Sequence, residues 1–327
     1  MAMRGRRPPR RSTPEGGHVP VLLDEVLKVL APQPGEIAVD ATLGMAGHAS
    51  ALLQRVGPSG LLLGFDLDAE NLRRAQEQLA AIGHPFKLFH NNFAAVANVI
   101  AQENLPGVDL LIADLGMSSM QVDDAERGFS YVREGPLDMR MDRSRGQTAA
   151  ELLASISQKD LTQALRELGD EPAAEHIARA LVQARQTTPL LRTTDIARVL
   201  SEALQVPTSR DQGWRLHPGK TTWKTHPAAR TFQVLRILVN RELANLQHLL
   251  RVLPSSLKPG GRAAIISFHS GEDRLVKAAF KAGLEAGHYA EIATDPVRAR
   301  EAEKLQNPRS RSAKLRWARK ISSISPD

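Results

Sequence analysis

The chain has 327 residues, of which 42% are hydrophobic and 24% are charged, as in ordinary globular proteins. It contains no cysteine, which excludes disulfides, iron–sulfur clusters, cysteine-ligated zinc and a thiolate nucleophile. The net charge of +7 is concentrated at the two ends, in the five arginines of residues 1–12 and the nine basic residues of 297–320, which predicts a polyanionic partner such as nucleic acid.

The first 17 residues are dominated by Arg, Pro and Gly and predict a disordered basic tail. This tail leads into no apolar signal core, and no run of about 18 apolar residues follows it. We therefore expect a cytoplasmic protein without a membrane segment. We also expect no metal centre.

Apolar runs of strand length follow in the first third of the chain and again near its end. They lie at 36–42, 61–68, 86–90, 108–116 and 261–268, and helix-length segments at 46–55 and 69–82 separate the first of them. The nearly continuous hydrophobicity of the longer runs is typical of parallel strands that are covered on both faces. The alternation predicts an α/β fold with a doubly wound, Rossmann-like sheet.

The strand pattern stops after Gly116. Residues 140–205 carry helical patterns only, and 206–225 are predicted to form a long loop. We therefore predict an inserted all-helical domain at 140–220, within a sheet domain formed by 18–139 and 221–327. The remaining elements are one helix of six or seven turns in "HPAARTFQVLRILVNRELANLQHLLRVL", and two edge strands in "HYAEIA" and "SAKLRWARKI".

The segment "VDATLGMAGHAS", residues 39–50, is a strand end, a glycine turn and a helix start. In a doubly wound sheet, ligands bind beyond the carboxyl ends of the strands. The turn is too sparse in glycine for the G-x-G-x-x-G pattern that cradles a pyrophosphate. Asp66 ends the second strand and can accept hydrogen bonds from both hydroxyls of an adenosine ribose. NAD and S-adenosylmethionine both carry this ribose, and the sparse turn favours S-adenosylmethionine, which has no phosphates.

Six stretches of the chain together resemble one family, the bacterial 16S ribosomal RNA cytosine-N4 methyltransferases of the MraW or RsmH type. They extend from His18 to Lys320 and read "HVPVLLDEVL", "VDATLGMAGHAS", "DLGMSSMQVDDAERGFSYVREGPLDMRMD", "HPAARTFQVLRILVNRELANL", "GGRAAIISFHSGEDRLVK" and "NPRSRSAKLRWARK". The resemblance implies a Rossmann-like, class I methyltransferase domain with an inserted helical domain. It also implies S-adenosylmethionine as cofactor, and as substrate the N4 of a cytidine in the decoding region (P site) of 16S rRNA within the small ribosomal subunit.

The same resemblance implies a set of cofactor contacts. In this sequence they fall on Ala46, Gly47, His48, Asp66, Phe93, Asp114 and Gln121. The chain departs from the family pattern at Met45 and Met120, which are expected to narrow the cofactor pocket, and at Gly271, which is expected to loosen a helix start. None of these departures removes a polar group assigned to the cofactor.

Methylation of N4 requires a proton acceptor, because the nitrogen lone pair is delocalised into the cytosine ring. Asp114 and His269, each at the end of a predicted strand, are the catalytic candidates. The prolines and the aromatic ring that many amino methyltransferases carry after the fourth strand are missing from "DLGM". Methylation at C5 through a cysteine nucleophile is excluded, because the chain has no cysteine.

Contacts to RNA are expected from basic, amide and aromatic side chains of the middle block, the predicted loop and the long helix. The candidates are Arg127, Arg140, Arg143, Trp214, Trp223, Arg230, Arg236 and Asn240. Three other functions remain open at this point: a DNA amino-methyltransferase, a noncatalytic RNA-binding factor of ribosome assembly, and an NAD-dependent oxidoreductase, which the glycine pattern disfavours. The oligomeric state also remains open, a homodimer included.

Overall fold

The computed structural model describes residues 19–206, 208–209, 212–216 and 228–322. The predicted tail at 1–17 and Trp223 lie outside these residues, as does the side chain of Trp214. The strands are Ile37–Asp40 (β1), Leu61–Asp66 (β2), Phe86–His90 (β3), Val108–Asp114 (β4), Thr208–Ser209 (β5), Gln212–Leu216 (β6), Leu257–Ser267 (β7), Tyr289–Ile292 (β8) and Lys314–Lys320 (β9). The helices are Leu23–Leu30 (α1), Gly47–Val56 (α2), Ala69–Ala80 (α3), Val96–Gln102 (α4), Ser119–Asp123 (α5), Ala149–Ser155 (α6), Gln158–Gly169 (α7), Ala174–Thr187 (α8), Thr193–Ala203 (α9), Ala228–Asn240 (α10), Glu242–Ser256 (α11), Ser270–Glu285 (α12) and Glu301–Gln306 (α13).

Seven of the described strands form one sheet in the order β3-β2-β1-β4-β7-β9-β8. The pairs from β3 to β7 are parallel, whereas β9 runs antiparallel to both β7 and β8. In chain order, β2 and β3 follow β1 on one side of it, and β4 and β7 then lie on its other side. This arrangement confirms the predicted doubly wound α/β fold, and it places the reversal of strand order between β1 and β4.

Side chains of the central strands alternate between two apolar cores, one on each face of the sheet. Val39 and Leu111 point to the face that α4, α11 and α12 cover, while Ala38 and Leu110 point to the face that α1, α2 and α3 cover. Burial on both faces explains why these strands are continuously apolar in sequence rather than alternating with polar residues.

A third apolar core lies among α6, α7, α8 and α9, with no strand between residues 140 and 205 in the described part of the chain. Phe129, Leu137 and Met139 also enter this core, as does the first half of α10. The packing therefore draws residues on both sides of the predicted insert toward the helices, and the division into separate domains stays a prediction.

The predicted single long helix is wrong, because the chain forms α10 and α11 with a break at Arg241, whose φ is 52°. Phe232 and Leu235 of α10 pack into the helical core, whereas Leu246 and Leu250 of α11 pack against the sheet. A single straight helix cannot pack its apolar residues into two cores that lie in different directions. The apolar repeat continues across the break, so the pattern alone gave no sign of it.

The predicted loop at 206–225 is also wrong in part, because β5 and β6 form a two-stranded antiparallel pair there. For the same reason the predicted insert at 140–220 is not all-helical. Among the described residues, no helix is both long and apolar enough to cross a membrane.

Candidate active site

A cavity of about 440 Å³ opens where the parallel strands end, beside the reversal of strand order. Residues 41–44 after β1, 65–67 at the end of β2 and 114–118 after β4 form part of its wall, and Phe268 closes it beyond β7. The volume lies in the range of sites that hold small molecules and cofactors. The cavity is therefore at the edge of the sheet where the sequence predicts a ligand.

Two residues with positive φ shape the turn between β1 and α2: Gly44 at 50° and Ala46 at 56°. Gly47 begins α2 and lines the cavity together with His48. A Cβ at Gly47 would lie only 2.3 Å from Cγ of Pro20, so glycine is needed for the N-terminal segment to pack over the turn. Ala46, a predicted cofactor contact, is instead fully buried in the core beneath the turn.

Asp66 holds the first turn and the end of β2 together through its carboxylate. Its Oδ2 accepts hydrogen bonds from the backbone N–H of Gly44 (2.8 Å) and from Nδ2 of Asn71 (3.1 Å), and its Oδ1 accepts from the N–H of Asp68 (2.8 Å). Burial raises the pKa of Asp66 to about 6, although these donors oppose the rise. A carboxylate has about four acceptor sites, so it retains capacity for a ligand hydroxyl that enters the cavity.

Phe93 and Gln121 both line the cavity but present different surfaces to it. Phe93 begins a 3₁₀ turn that the side chain of Asn92 caps. The amide of Gln121 is already used within the protein, because its Oε1 accepts from the N–H of Ser118 and its Nε2 donates to Oδ2 of Asp68 at 3.1 Å. Phe93 thus offers an apolar face, and Gln121 fixes the start of α5.

Asp114 ends β4 next to the reversal of strand order and lines the cavity. Its Oδ2 lies 3.7 Å from Nδ1 of His48, whose Nε2 lies 2.9 Å from the carbonyl oxygen of Val21. Its Oδ1 is buried and has no hydrogen-bond partner among the described residues. Burial raises the pKa of Asp114 well above its usual value, the carboxyls of Asp40 and Glu272 raise it further, and Arg309 opposes them.

A buried ion pair spans the break between α10 and α11 and lines the cavity. Arg236 binds Glu242 through two hydrogen bonds of 2.8 Å, and each side chain is only 11% exposed. Burial raises the pKa of Glu242 although the guanidinium of Arg236 lowers it. Arg236, a predicted RNA contact, is therefore occupied by a partner on its own chain.

His269, the second catalytic candidate, is not in the cavity wall. It caps α12, because its Nδ1 accepts from the backbone N–H of Glu272 at 3.4 Å, and its Nε2 lies 3.2 Å from Oε1 of Glu272. Glu272 does line the cavity, and its pKa is lowered, because the contacts from His269 and Arg236 together outweigh its burial. Asp114 and Glu272 therefore line the cavity, whereas His269 does not.

Arg127 and Arg140, both predicted to contact RNA, make contacts within the protein. Arg127 forms a 2.7 Å ion pair with Asp68 and donates to two backbone carbonyls. Arg140 binds both carboxylate oxygens of Asp138. Arg127 ties the segment after α5 to Asp68, and Arg140 is used within that segment, which leaves little of either guanidinium for an RNA backbone.

The other predicted RNA contacts differ in exposure. Arg143 and Arg230 are about half exposed, at 50% and 47% of the side chain. Asn240 lies in the cavity wall, where its Nδ2 donates to the carbonyl of Met139 and its Oδ1 accepts from the N–H of Met141. Of this set, only Arg143 and Arg230 present a cation to solvent.

Sequence reasoning missed several polar residues that line the cavity. They include Asn91, Asn92, Glu242, Asn245, Arg309 and Ser312. Arg309 and Ser312 belong to a 3₁₀ turn at Pro308–Ser312, far from the first loop along the chain. The quoted stretch "NPRSRSAKLRWARK" contains both, but its charge pattern predicted only a basic surface.

The departures at Met45, Met120 and Gly271 lie in different surroundings. Met45 lines the cavity, as expected. Met120 is not in the cavity wall, and its sulfur accepts a contact from Arg74 at 3.1 Å. A Cβ at Gly271 would lie 3.2 Å from the imidazole of His269, so a larger residue here would press on the capping side chain.

The sequence pattern of the MraW methylase family matches residues 15–321. The chain belongs to this family. Two relatives are named ribosomal RNA small subunit methyltransferase H. The one from Geobacter sp. (strain M21) is 41% identical and the one from Acidobacterium capsulatum is 42% identical, and both alignments cover 93% of this chain and 98% of the relative.

Membership of the MraW methylase family makes the protein a methyltransferase whose cofactor is S-adenosylmethionine. Among solved structures, an rRNA methylase from Streptococcus thermophilus aligns with a TM-score of 0.40 at 10% identity, covering 92% of this chain and 94% of that chain. That similarity is too weak to support any argument, so the fold rests on the strand order described above.

Asp40, at the end of β1, is a buried carboxyl next to the site and should make the stability of the protein depend on pH. Burial raises its pKa to about 7, against the hydrogen bond from the N–H of Thr42. The unfolded chain ionises near pH 4 while the folded chain keeps the proton, so the free energy of unfolding should fall between pH 4 and pH 7 by up to about 4 kcal/mol. In denaturant unfolding, the free energy of unfolding of Asp40→Asn should not show this decrease with pH. An equal decrease in the variant would contradict the raised pKa of Asp40.

Proposed function

We propose that this methyltransferase transfers a methyl group to the exocyclic N4 of a cytidine in the decoding region of 16S rRNA, within the small ribosomal subunit. The main support is the match to relatives named ribosomal RNA small subunit methyltransferase H, which covers 98% of their length. A match of this extent includes the cavity, the helices beside it and the basic C-terminal segment. The choice of N4 and of the decoding region comes from the family resemblance of the sequence motifs.

Asp66, Phe93 and the turn at Gly47 are proposed to hold the adenosine part of the cofactor. Asp66 would accept a hydrogen bond from the ribose hydroxyls, at the acceptor site that its three internal donors leave. Phe93 would lie against the adenine ring, and the absence of a Cβ at Gly47 lets Pro20 close over the turn. These residues fit a cofactor that carries an adenosine and no phosphate. When bound, S-adenosylmethionine supplies a methyl group on a positively charged sulfur.

Asp114 is proposed to accept the proton that N4 must lose. It lies in the cavity wall, and the raised pKa of its carboxyl makes it a stronger base than an exposed aspartate once it is ionised. His269 ranks below it, because its imidazole caps α12 and lies outside the cavity wall. Glu272 also faces the cavity, but the groups around it hold its pKa low, which makes it the weaker base.

The basic ends of the chain are proposed to bind the phosphates of the RNA backbone. Removal of residues 1–17 should weaken binding to small subunits and flatten its salt dependence, with the slope of log K against log salt reduced by up to about 4 for five arginines. Turnover at saturating subunit concentration should survive, because the residues proposed to hold the cofactor and to accept the proton all lie beyond that segment. Filter binding across a salt series, together with single-turnover methylation, measures both effects. An unchanged salt slope would contradict this role.

The substrate is tested with small subunits from bacteria that lack this enzyme. The purified protein and labelled S-adenosylmethionine are added, and the RNA is digested to nucleosides for chromatography. We expect the label in N4-methylcytidine at one site per particle, with little transfer to duplex DNA. Equal labelling of DNA would favour a DNA amino-methyltransferase, and binding without any transfer would favour a noncatalytic assembly factor.

A further inference from the structure

Four carboxyl side chains line the cavity, and three of them accept hydrogen bonds within the described residues. Asp66 accepts hydrogen bonds from Gly44, Asp68 and Asn71. The remaining two, Glu242 and Glu272, bind Arg236 and the backbone N–H of Phe268, respectively.

Asp114 differs from these three carboxyl groups, because nothing in the described chain donates a hydrogen bond to its buried Oδ1. An unsatisfied buried carboxylate is costly, so the site favours either a protonated Asp114 or a cationic ligand beside it.

Among the described residues, the ionisable groups that face Asp114 come from four elements. They are Asp40 of β1, His48 of α2, Glu272 of α12 and Arg309 of the turn at Pro308–Ser312. The two carboxyls act against ionisation and Arg309 favours it, so the resident charges do not fix Asp114 in the ionised form. Whether Asp114 is ionised is therefore open to control by a charge that enters the cavity.

His48 also lies beside Asp114. Its Nε2 lies 2.9 Å from the carbonyl oxygen of Val21, and its Nδ1 lies 3.7 Å from Oδ2 of Asp114. The second distance is longer than a hydrogen bond.

We propose that the protonation state of Asp114 depends on the charge of the bound cofactor. Its carboxyl is ionised when the cavity holds the sulfonium of S-adenosylmethionine, and it is protonated when the cavity holds the neutral thioether of S-adenosylhomocysteine. The physical reason is Coulombic: a positive charge within a few ångströms in a partly desolvated site strongly favours the carboxylate, and this effect disappears with the charge.

In the proposed N4 methylation, on which this inference rests, the net charge of the site would be conserved. The N4 lone pair forms the bond to the methyl carbon, the carbon–sulfur bond breaks with its electron pair on sulfur, and the N4–H bond gives its proton to Asp114. One positive charge is lost at sulfur and one negative charge is lost at Asp114. The net charge of the buried site is therefore the same before and after transfer.

The test compares the two cofactor forms by titration calorimetry from pH 5.5 to 8.5, without RNA. Because both ligands share the adenosine, the ratio of the Kd of S-adenosylhomocysteine to that of S-adenosylmethionine isolates the effect of the sulfur charge. We expect this ratio to rise at least about tenfold with pH and then to level off, since one unit of pKa shift corresponds to a factor of ten. In buffers of different ionisation enthalpy, S-adenosylmethionine should release more protons on binding at low pH than S-adenosylhomocysteine, because any proton that Asp66 releases is common to both ligands.

Two variants distinguish the contribution of Asp114 to this pH dependence from that of the rest of the site. In Asp114→Asn the ratio should stay near the low-pH value of the wild type at every pH. Asp66→Asn should weaken both ligands by the same factor and leave the pH dependence of the ratio intact, because its carboxyl faces the shared part of the cofactor. A ratio independent of pH in the wild type, or a pH dependence that persists in Asp114→Asn, overturns the inference.

The wild-type proton counts decide the matter if Asp114→Asn does not fold. Because no measurement here uses RNA, a failure of the charge linkage is distinct from a failure of the substrate assignment, which the methylation of small subunits tests separately.

Discussion

Replacement of Asp66 by alanine is expected to weaken binding of S-adenosylmethionine by at least about tenfold, because one charge-assisted hydrogen bond is worth roughly 1.5–3 kcal/mol. The change also removes the acceptor for the N–H groups of Gly44 and Asp68, so the turn that forms the cavity wall loses its anchor. Titration calorimetry measures the affinity directly. Methylation at saturating RNA should fall in parallel when the cofactor is held at a fixed, limiting concentration.

The matched control for this prediction is Asp109→Asn. Asp109 also accepts a backbone N–H, that of Ile37, and binds Lys258, but it lies near the start of β4, at the opposite end of the strand from the cavity. Its substitution should leave the cofactor affinity unchanged. A loss of less than about tenfold in Asp66→Ala, with the fold intact by circular dichroism, would contradict the assignment of Asp66 to the ribose.

Replacement of Arg236 by methionine is expected to lower the free energy of unfolding by about 3–5 kcal/mol, because it leaves the carboxylate of Glu242 buried without its cation. The double variant Arg236→Met/Glu242→Leu should lose much less, since both charges are removed together. The loss in the single variant should be smaller at pH 5 than at pH 8, because Glu242 can then take up a proton and become neutral.

Urea unfolding at the two pH values, followed by circular dichroism, provides the measurement for these variants. Arg143→Met serves as the control, because its half-exposed guanidinium lies 3.6 Å from Asp138 and should contribute less than about 1 kcal/mol. If the double variant is no more stable than Arg236→Met, the ion pair does not act as the buried link between α10 and α11.

Much of the site could be located in the sequence because the residues that build it follow strands. The apolar runs ending at Asp66 and Asp114 identify parallel strands, and parallel strands bring their carboxyl ends to one edge of the sheet. The glycine turn at Gly47 marks the loop that must approach a ligand closely. Local pattern and one rule of topology were therefore sufficient to predict the position of the cavity and two of its acids.

Other site residues could not be assigned from local pattern. Arg127 and Arg236 look like RNA contacts when only their charge is visible, yet each has a buried acid as its partner. His269 follows a strand as a catalytic residue would, but the start of α12 uses its Nδ1 as a cap. The partner of a charged side chain is set by residues distant in sequence, and a single chain without its fold does not reveal it.

The sequence by itself determined the α/β class, the strands of the sheet, the helical character of the middle segment, and the family to which the chain is similar. Each of these depends on periodicity or on motifs that are contiguous in the chain. Only the tertiary structure decided that the apolar repeat breaks at Arg241, that the turn at Pro308–Ser312 contributes to the cavity, and that Asp114 alone among the cavity acids lacks a donor within the described residues. These features depend on which distant groups meet and on how deeply they are buried, and both are fixed only when the sheet and the three apolar cores pack together.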